Sequence, residues 1–561
     1  MIRDDLAAAV RAALAAAGLP DPPGGVELTP PKSREHGDFA TNVALQLAKA
    51  AGRPPREVAE AVAAVLLEAR PAHLDRVEIA GAGFLNLHLG PGWLHDVLSE
   101  VVAQGDAYGR NQSLAGRSIN LEFVSANPTG PLHAGGGRWV AVGDAIANLL
   151  AACGASVERE YLLNDAGTQL NLFGASLLAR YQGTEPPEGG YQGPYIDDMA
   201  ARMRAELGGA EVDLEAAREW GYAAVVEEVK ADLARIGVTF DTWFSERTLH
   251  QRGDVADVVG ALRDKGFVDE RDGATWLRAT DLGDTRDRVL IRSDGTPTYL
   301  CADLAYHRDK LRRGADHLID IWGADHHGQV KSIQVGMQAL GAPPGTPEVI
   351  LGQLVSLLRG GEPVRMSKRA GEVITLADIL DEVDPDVARF TFLLQGIDTA
   401  QSFDLDVVTA QSMENPVYYV QYAHARIAAI GRMAAERNVE RRPLAEVDLG
   451  LLVEVEELDL LRSLAAYPEV VADAARLRAP HRLATWVREL AGRFHRFYRE
   501  RKVLAAPDPE LVQARLWLVE ACRIGLADAL GLLGVSAPER MDRDPEEPGE
   551  ADEAGEAASP A

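Results

Sequence analysis

The chain is poor in cysteine. Its 561 residues include three, Cys153, Cys301 and Cys522, which lie far apart and form no CxxC pair. This spacing argues against a disulfide framework and against a structural zinc site. We therefore expect a protein of a reducing, cytoplasmic compartment that holds no zinc.

Long apolar runs are also missing. No stretch of about 18 uninterrupted apolar residues occurs, so the sequence predicts no membrane span. Near the N-terminus two aspartates follow Arg3, and Arg11 interrupts the apolar segment, which argues against a signal peptide. Apolar residues recur there at every fourth position, as on one buried helix face: Ile2, Leu6, Val10 and Leu14.

Positive charge is in deficit. The chain has 57 Lys and Arg against 85 Asp and Glu, a formal net charge of -28. The global charge weighs against a nucleic-acid partner, although a local basic track on an acidic protein can still bind RNA. The last 20 residues contain eight acidic side chains and one arginine. Such a segment has almost nothing to bury, so we expect a disordered acidic tail.

Hydrophobic patterning divides the chain into regions. In the middle, strand-like runs such as SINLEFVSA and HLIDIWG alternate with helical segments, which is typical of a doubly wound parallel sheet of the Rossmann type. The N-terminal region combines helices with the alternating strand GFLNLHL, and the C-terminal third is wholly helical. The prediction is a multidomain α/β protein with these parts: an N-terminal α/β domain (1–112), the sheet domain (113–410) with a polar helical insertion at about 170–285, an all-α domain (411–541) and the tail (542–561).

The most informative stretch is FVSANPTGPLHAGGGR, from Phe123 to Arg138. It follows a predicted strand and opens a predicted helix, which places it at the carboxyl end of a strand, where parallel sheets bind ligands. Three successive glycines let a nucleotide approach the backbone, and the N–H groups of a helix start attract phosphate. His133 can donate a hydrogen bond to a phosphate oxygen there. The alternative is a glycine-rich connection with a surface histidine.

A second motif, RMSKRAG, runs from Arg365 to Gly371 in a predicted loop after an apolar run. A loop lysine can stabilise negative charge that develops on a phosphate group in a transition state. Lys368 is the candidate for this role. Alone, the tripeptide MSK is better explained as part of a solvated basic loop.

Taken in this order, the two motifs resemble the HIGH and KMSKS signatures of class I aminoacyl-tRNA synthetases, in the long form typical of arginyl-tRNA synthetases. The chain departs from the first at Gly136, where the signature has its second histidine. It departs from the second at Arg365 and Arg369, which replace the outer lysine and serine. Other segments resemble the arginyl family too, so the likeness covers nearly everything except the tail: SREHGDFATN, YQGPYI, VTFDTWFSERTLH and FHRFYRERKVL.

The resemblance implies ATP-dependent joining of L-arginine to its tRNA through an arginyl-adenylate. ATP is then a substrate, magnesium accompanies it, and arginine activation requires bound tRNA. The implied catalytic residues are His133 and Lys368. The implied ATP-binding residues are His133, Gly135, Gly136, Arg138, His326, Met366 and Lys368.

A guanidinium substrate must be met by carboxylates, because a buried unpaired cation is unstable. Tyr299 and Asp303 are four residues apart, and hence on one face if this segment is helical. The resemblance implies these arginine-binding residues: Glu122, Asn127, Tyr299, Asp303 and His327. Alternatively, Asp303 pairs structurally with Arg308 or Lys310. Asp325 to His327 could also suggest a metal, but neighbours on a strand point to opposite faces.

Aromatic and basic residues begin the helical region, as single-stranded RNA recognition requires. Buried tyrosines on a helix explain the same composition equally well. The resemblance to the anticodon-binding domain of the arginyl family assigns tRNA contacts to Tyr418, Tyr422 and Arg426. Five basic residues further on form either a local basic track or a solvated face: Arg493, Arg496, Arg499, Arg501 and Lys502.

Two other functions fit part of the sequence. One is a class I synthetase for glutamine, glutamate, cysteine or lysine, which the missing zinc-type cysteines and the N-terminal domain disfavour. The other is a non-catalytic, synthetase-like tRNA-binding protein that lost its chemistry through Gly136. The presence of His133 and Lys368 disfavours that second alternative. For the protein itself we expect a monomer.

Overall fold

The computed structural model describes residues 2–364, 374–410 and 413–541. The chain forms two compact units, each built from three segments. The first unit comprises Met1–Gly105, Ala434–Ala465 and Arg496–Cys522. The second comprises Asp106–Met433, Ala466–His495 and Arg523–Ala561. The helical region predicted from residue 411 onward is thus divided between the two units.

The N-terminal segment of the first unit combines four helices with a small antiparallel sheet. The helices are α1 (Ile2–Ala16), α2 (Val43–Ala51), α3 (Pro55–Ala69) and α4 (Gly92–Gln104), and the strands are β1 (Phe39–Thr41), β2 (Leu74–Ala80) and β3 (Phe84–Leu89). The strands pair in the order β1-β3-β2. The predicted face of α1 is confirmed, because Leu6, Val10 and Leu14 are buried in the core of this unit. Leu85 and Leu87 of β3 are buried there as well, as their alternation predicts.

The second unit contains the main sheet and the helices that flank it. Its strands are β4 (Ser118–Glu122), β5 (Ser156–Leu163), β6 (Thr242–Ser245), β7 (Val268–Arg271), β8 (Ala274–Leu277), β9 (Arg288–Ile291), β10 (His317–Gly323), β11 (Glu348–Gly352), β12 (Val355–Arg359), β13 (Glu362–Pro363) and β14 (Gln401–Asp404). Its helices before residue 411 are α5 (Gly137–Ala152), α6 (Thr168–Gln182), α7 (Pro194–Leu207), α8 (Leu214–Arg235), α9 (Arg247–Arg252), α10 (Asp254–Asp264), α11 (Tyr299–Arg312), α12 (His327–Leu340), α13 (Leu376–Glu382), α14 (Pro385–Phe392) and α15 (Leu405–Val408).

The main sheet is parallel and doubly wound, as the sequence predicts. Its strand order is β11-β10-β4-β5-β6, with every neighbouring pair parallel. The chain builds outward from β4 to β6 on one side and then returns to add β10 and β11 on the other. The direction of building therefore reverses between β4 and β10. In open α/β sheets the crevice at the carboxyl ends of such a strand pair is where ligands bind.

The predicted insertion at about 170–285 is only partly helical, and this expectation needs correction. Helices α6, α7 and α8 occupy its first part, but β6 then returns to the main sheet as an edge strand beside β5. Strands β7 and β8, with β9, form a separate antiparallel sheet. Each of these strands has four residues, too few for an alternating pattern to stand out in a polar sequence.

The remaining helices are long. They are α16 (Pro416–Glu436), α17 (Val455–Arg476), α18 (His481–Glu500) and α19 (Pro509–Leu532). Within the part of the chain that the structure describes, no helix combines the length and apolar character needed to cross a lipid bilayer.

Candidate active site

The turn after β4 is strained and firmly held. Val124 and Ser125 have φ values of 71° and 39°, in the left-handed region that a β-branched valine rarely adopts. Such backbone costs about 1–3 kcal/mol and persists only where its surroundings fix it. Here the Ser125 hydroxyl oxygen accepts a hydrogen bond from the Leu162 N–H at 3.0 Å, and the Ala126 N–H donates to the Tyr161 hydroxyl at 3.1 Å. Strand β5 therefore fixes the entry to the first motif.

His133 and the glycines after it form the start of α5. The His133 Nδ1 accepts a hydrogen bond from the Gly135 N–H at 2.9 Å, so the proton of the neutral ring lies on Nε2. A Cβ on Gly137 would approach Leu376 and Phe392 to 3.1 Å, so the helix start packs closely there. At Gly136, by contrast, φ is -71° and a Cβ would meet nothing within 4 Å. The position of the missing second histidine is thus open space beside the helix start.

The residues that follow the second motif are hydrogen-bonded to the first. The Leu376 N–H donates to the Leu132 carbonyl at 2.7 Å, and the Ala134 N–H donates to the Ile374 carbonyl at 2.9 Å. Between them, His133 and Thr375 form an antiparallel bridge. Met366 and Lys368 themselves lie outside the described residues. Residues 374–376, which follow the second motif in the sequence, therefore pair with the first motif.

Helix α11 carries an acidic side chain with no local partner. Tyr299 is the first residue of α11 and is 64% exposed, and Asp303 follows one turn later. Among the described residues, the Asp303 carboxylate makes no hydrogen bond or ion pair. Burial raises its pKa to about 6, and the charges of Glu122 and Asp320 add to this effect against the opposing charge of His307. A carboxylate held in this way attracts a cationic ligand.

Among the described residues, the Asp303 carboxylate pairs with neither of its alternative partners, Arg308 and Lys310. The buried Lys310 ammonium donates to Glu122 at 2.6 Å and to Asp320 at 2.9 Å. Arg308 lies near Asp254 and Asp257, whose charges act on it. Lys310 thus bridges two carboxylates that face each other across β4 and β10.

Replacing Lys310 with methionine is expected to destabilise the second unit by about 3–5 kcal/mol, because two buried carboxylates lose their shared cation. Urea unfolding followed by circular dichroism measures the change. The exposed Lys265, changed to methionine, is the matched control and should shift the midpoint little. An unchanged midpoint for Lys310→Met would show that this network does not stabilise the fold.

Glu246 is a candidate that sequence reasoning missed. It follows β6 directly, so it lies at the same carboxyl edge of the sheet as the first motif. Burial raises the pKa of its carboxyl group to about 7, with further contributions from the charges of Asp303 and Asp165. Among the described residues, the basic side chain closest to its carboxylate is that of His250, whose Nε2 lies 3.9 Å from Oε1. Two poorly compensated carboxylates, Glu246 and Asp303, therefore act on each other at the edge where ligands bind.

The other predicted substrate residues lie at or just beyond the carboxyl ends of β4 and β10. Glu122 ends β4 and is buried against Lys310, as described above. Asn127 is exposed and its amide donates to Gln169 at 2.7 Å. His326 and His327 are exposed at the start of α12, just beyond β10. They belong to a helix start and not to a strand, and the described ranges contain no group of three His, Cys, Asp or Glu residues placed to hold a metal ion.

Comparison with known proteins covers almost the whole chain. Three family models match in order: the arginyl tRNA synthetase N terminal domain at residues 4–89, the catalytic domain of tRNA synthetases class I (R) at 97–199 and 196–391, and the DALR anticodon binding domain at 420–541. The arginine–tRNA ligase of Kineococcus radiotolerans is 48% identical over 549 residues, which cover 96% of this chain and 98% of the relative. The chain belongs to the arginyl-tRNA synthetase family.

Further matches agree with this family. The arginine–tRNA ligase of Frankia alni is 49% identical over 530 residues, 92% of this chain and 95% of the relative. The solved arginyl-tRNA synthetase of Thermus thermophilus aligns with a TM-score of 0.74 over 96% of this chain and 100% of that one, at 22% identity. This structural match supports the fold, and the sequence matches support the family.

Arg138, predicted above as an ATP-binding residue, donates its hydrogen bonds to main-chain carbonyls of the protein. Its side chain is fully buried, and the guanidinium donates to the carbonyls of Gly396 and Thr399 at 2.7 Å each. Longer hydrogen bonds reach the carbonyls of Gln353 and Gln395. Arg138 therefore connects α5 to the segment before β14, and the ATP-binding site proposed below does not include it.

The predicted tRNA-contacting tyrosines are mostly buried. Tyr418 and Tyr422 are 9% and 8% exposed, and their rings stack on each other with centroids 5.9 Å apart. His495 stacks against Tyr422, and the Arg426 guanidinium lies 5.4 Å from the Tyr422 ring centre. Rings covered in this way cannot accept a splayed base on their faces, so the helix-packing alternative fits these two residues. Arg426, which is half-buried, remains a candidate for tRNA contact.

The predicted basic track on α18 is largely neutralised within the first unit. Arg501 pairs with Glu454 and Glu456 at 2.8 and 2.9 Å, and Arg496 lies 3.6 Å from Glu456. Arg499 pairs with its neighbour Glu500. Arg496, Arg499 and Arg501 thus form a surface of alternating charge with their glutamate partners, as the solvated-face alternative predicts.

Proposed function

We propose that this chain is an arginine–tRNA ligase that joins L-arginine to its tRNA at the expense of ATP. Membership of the arginyl-tRNA synthetase family carries this proposal. The local geometry supports it, because the crevice between β4 and β10 combines a helix start suited to phosphates with carboxylates suited to a guanidinium.

The reaction has two steps. The carboxylate of arginine attacks the α-phosphate of ATP, which gives arginyl-adenylate and pyrophosphate, and magnesium enters with ATP as part of that substrate. The 2′-hydroxyl of the terminal adenosine of the tRNA then attacks the acyl carbon and releases AMP. Both steps rely on positioning and charge stabilisation, so the chain needs no nucleophilic side chain of its own.

On the nucleotide side, we propose that the His133 Nε2–H donates to the phosphates at the start of α5. The main chain of Gly135 and Gly136 lets the phosphates approach closely. His326, at the start of α12, is placed to contact adenosine, and Lys368 and Met366 of the second motif cover the phosphates. The hydrogen bonds of Leu132 and Ala134 to residues after that motif support this shared role.

On the amino-acid side, we propose that Asp303 and Glu246 bind the guanidinium together, with Tyr299 packing against it. Glu122 and Asn127 hold the α-amino end, and His327 lies near by. The raised pKa values of the two carboxyls support a binding site for a cation, since among the described residues neither forms an ion pair with a lysine or an arginine.

The tRNA is the third substrate. Residues 420–541 match the DALR anticodon binding domain, and we propose that this region binds the anticodon of an arginine tRNA, with Arg426 as one contact. We further propose that the enzyme acts as a monomer in the cytoplasm, where its aminoacylated tRNA is used in translation.

The test is charging of a total tRNA pool with each of the twenty amino acids in turn, in the presence of ATP and magnesium. Only arginine should become attached, and only to arginine tRNAs. Attachment of a different amino acid would assign the chain to another synthetase. Binding of tRNA without any charging would make it a non-catalytic relative.

The binding of arginine should strengthen as pH rises from 6 to 8. The pKa values of Asp303 and Glu246 are about 6 and about 7, so both carboxyls are partly protonated at pH 6, whereas the guanidinium stays charged throughout. The cation requires the ionised forms, so the KM for arginine should fall by about tenfold over this range. Steady-state kinetics at fixed concentrations of tRNA and ATP measure this KM at each pH. A KM that does not change with pH would argue against this pair of carboxylates, and Glu246→Gln should flatten the dependence.

A further inference from the structure

Glu246 lies between two residues that one carboxylate holds. The Ser245 hydroxyl donates to Oδ2 of Asp165 at 2.6 Å, and the Arg247 N–H donates to Oδ1 of the same side chain at 3.0 Å. The Glu246 N–H donates to the Leu163 carbonyl at 3.1 Å. The main chain is therefore fixed on both sides of Glu246, and both oxygens of Asp165 take part.

Asp165 is itself rigidly placed. It follows β5, is 4% exposed, and its own carbonyl accepts from the Arg247 guanidinium at 2.9 Å. That guanidinium also donates to Glu219 of α8 at 2.8 Å and lies 5.0 Å from the ring centre of Tyr222. The same guanidinium lies 3.7 Å from the Asp165 carboxylate, so this negative charge faces a cation of the segment whose main chain it holds.

The same segment packs against α11. The Phe244 ring, two residues before Glu246, lies 5.0 Å from the ring of Tyr306, which is one turn beyond Asp303. Arg252, at the end of α9, donates to Asp309 of α11 at 2.8 Å. The segment that bears Glu246 is therefore fastened to α11 on one side and to Asp165 on the other. The hydrogen bonds of Asp165 and the contact of Phe244 with Tyr306 lie within two residues of Glu246 and fix its position relative to Asp303, whereas the Arg252–Asp309 pair lies six residues away.

We propose that Asp165 is a positioning residue for arginine selection: it anchors Ser245 and Arg247 so that the Glu246 carboxylate meets the guanidinium together with Asp303. The inference rests on the proposed function, and it assigns Asp165 no contact with substrate. Two acceptors serve one planar guanidinium only at a fixed spacing. A displacement of about 1 Å at such a site reduces rates by about 10²-fold.

Asp165→Asn is the informative change, because the neutral amide keeps one oxygen acceptor for the Arg247 N–H but loses both the acceptor for the Ser245 hydroxyl and the charge that faces the Arg247 guanidinium. The KM for arginine should rise by about 10- to 100-fold, while the KM for ATP stays within about twofold. If Asp165 had a purely structural role, its replacement would raise the KM for arginine and the KM for ATP together. Ser245→Ala removes a single hydrogen bond and should raise the KM for arginine by a smaller factor, which keeps the proposal testable should Asp165→Asn fold poorly.

The matched control is Asp241→Asn. Asp241 anchors the opposite end of β6, where it accepts from the Arg159 N–H at 2.8 Å in the same manner. Its replacement removes a comparable main-chain bond far from the carboxyl edge, so the KM for arginine should stay within about twofold.

A double-substitution cycle decides whether Asp165 acts through Glu246. In a Glu246→Gln background, Asp165→Asn should add at most about a twofold further rise in the KM for arginine. Full additivity of the two effects, or equal losses for arginine and ATP, would overturn the positioning role. A wild-type protein that fails to attach arginine to tRNA would instead overturn the proposed function, so the two failures are distinguishable.

Discussion

Lys368→Ala is expected to slow the formation of arginyl-adenylate by about 10²–10³-fold. Charge accumulates on the pyrophosphate only as the bond to the α-phosphorus breaks, so a cation that meets it there stabilises the transition state more than the bound substrates. The backbone pairing of Leu132 and Ala134 with Leu376 and Ile374 supports this role, since it holds residues 374–376, a few positions after the motif, beside the helix start proposed to bind phosphate.

The measurement for Lys368 is single-turnover formation of arginyl-adenylate with tRNA present, together with the dissociation constant for arginine. The rate should fall steeply and the dissociation constant should change less than about threefold. Lys368→Arg, which keeps the positive charge, is the control and should retain more activity than alanine. An equal loss in arginine binding and in the chemical step would contradict a role specific to the transition state.

Asp303→Asn is expected to raise the KM for arginine by about 10²-fold or more, because removal of one partner from a buried charge pair costs about 2–5 kcal/mol of binding. The neutral amide keeps the size of the side chain, so the loss reports on charge. Citrulline has the shape of arginine without its charge. The variant should therefore discriminate between arginine and citrulline less strongly than the wild type does.

Asp309→Asn is the matched control for this prediction. Asp309 lies on the same helix but pairs with Arg252 and Arg313, at 2.8 and 2.9 Å. Its replacement should lower stability and leave the preference for arginine over citrulline unchanged. An unaltered arginine KM in Asp303→Asn would remove Asp303 from the proposed pocket.

The parts of the site that the sequence predicts are those that depend on local order. The strand-turn-helix at His133 is one such part, and the four-residue spacing of Tyr299 and Asp303 on one helix is another. Both depend on residues that are near in sequence, where the periods of strand and helix decide which side chains share a face. The doubly wound sheet is predictable for the same reason, because alternating strands and helices permit few arrangements.

The parts that the sequence does not predict depend on residues far apart in the chain. Glu246 follows a four-residue edge strand within a polar region, and its nearness to Asp303 comes from packing against α11. Arg138 directly follows the glycine turn, as a phosphate ligand would, but the carbonyls of residues 395–399 lie within its reach. Tyr418 and Tyr422 have the composition of an RNA-binding surface, and only the stacking of the two rings on each other and of Tyr422 on His495 shows that they are covered.

The most direct test of the proposed site is a crystal structure with a non-hydrolysable arginyl-adenylate analogue and tRNA. The adenosine should lie between His133 and His326, and the guanidinium should make hydrogen bonds of about 2.7–2.9 Å to both Asp303 and Glu246. An analogue bound away from the carboxyl ends of β4 and β10, or a guanidinium that touches neither carboxylate, would contradict the assignment.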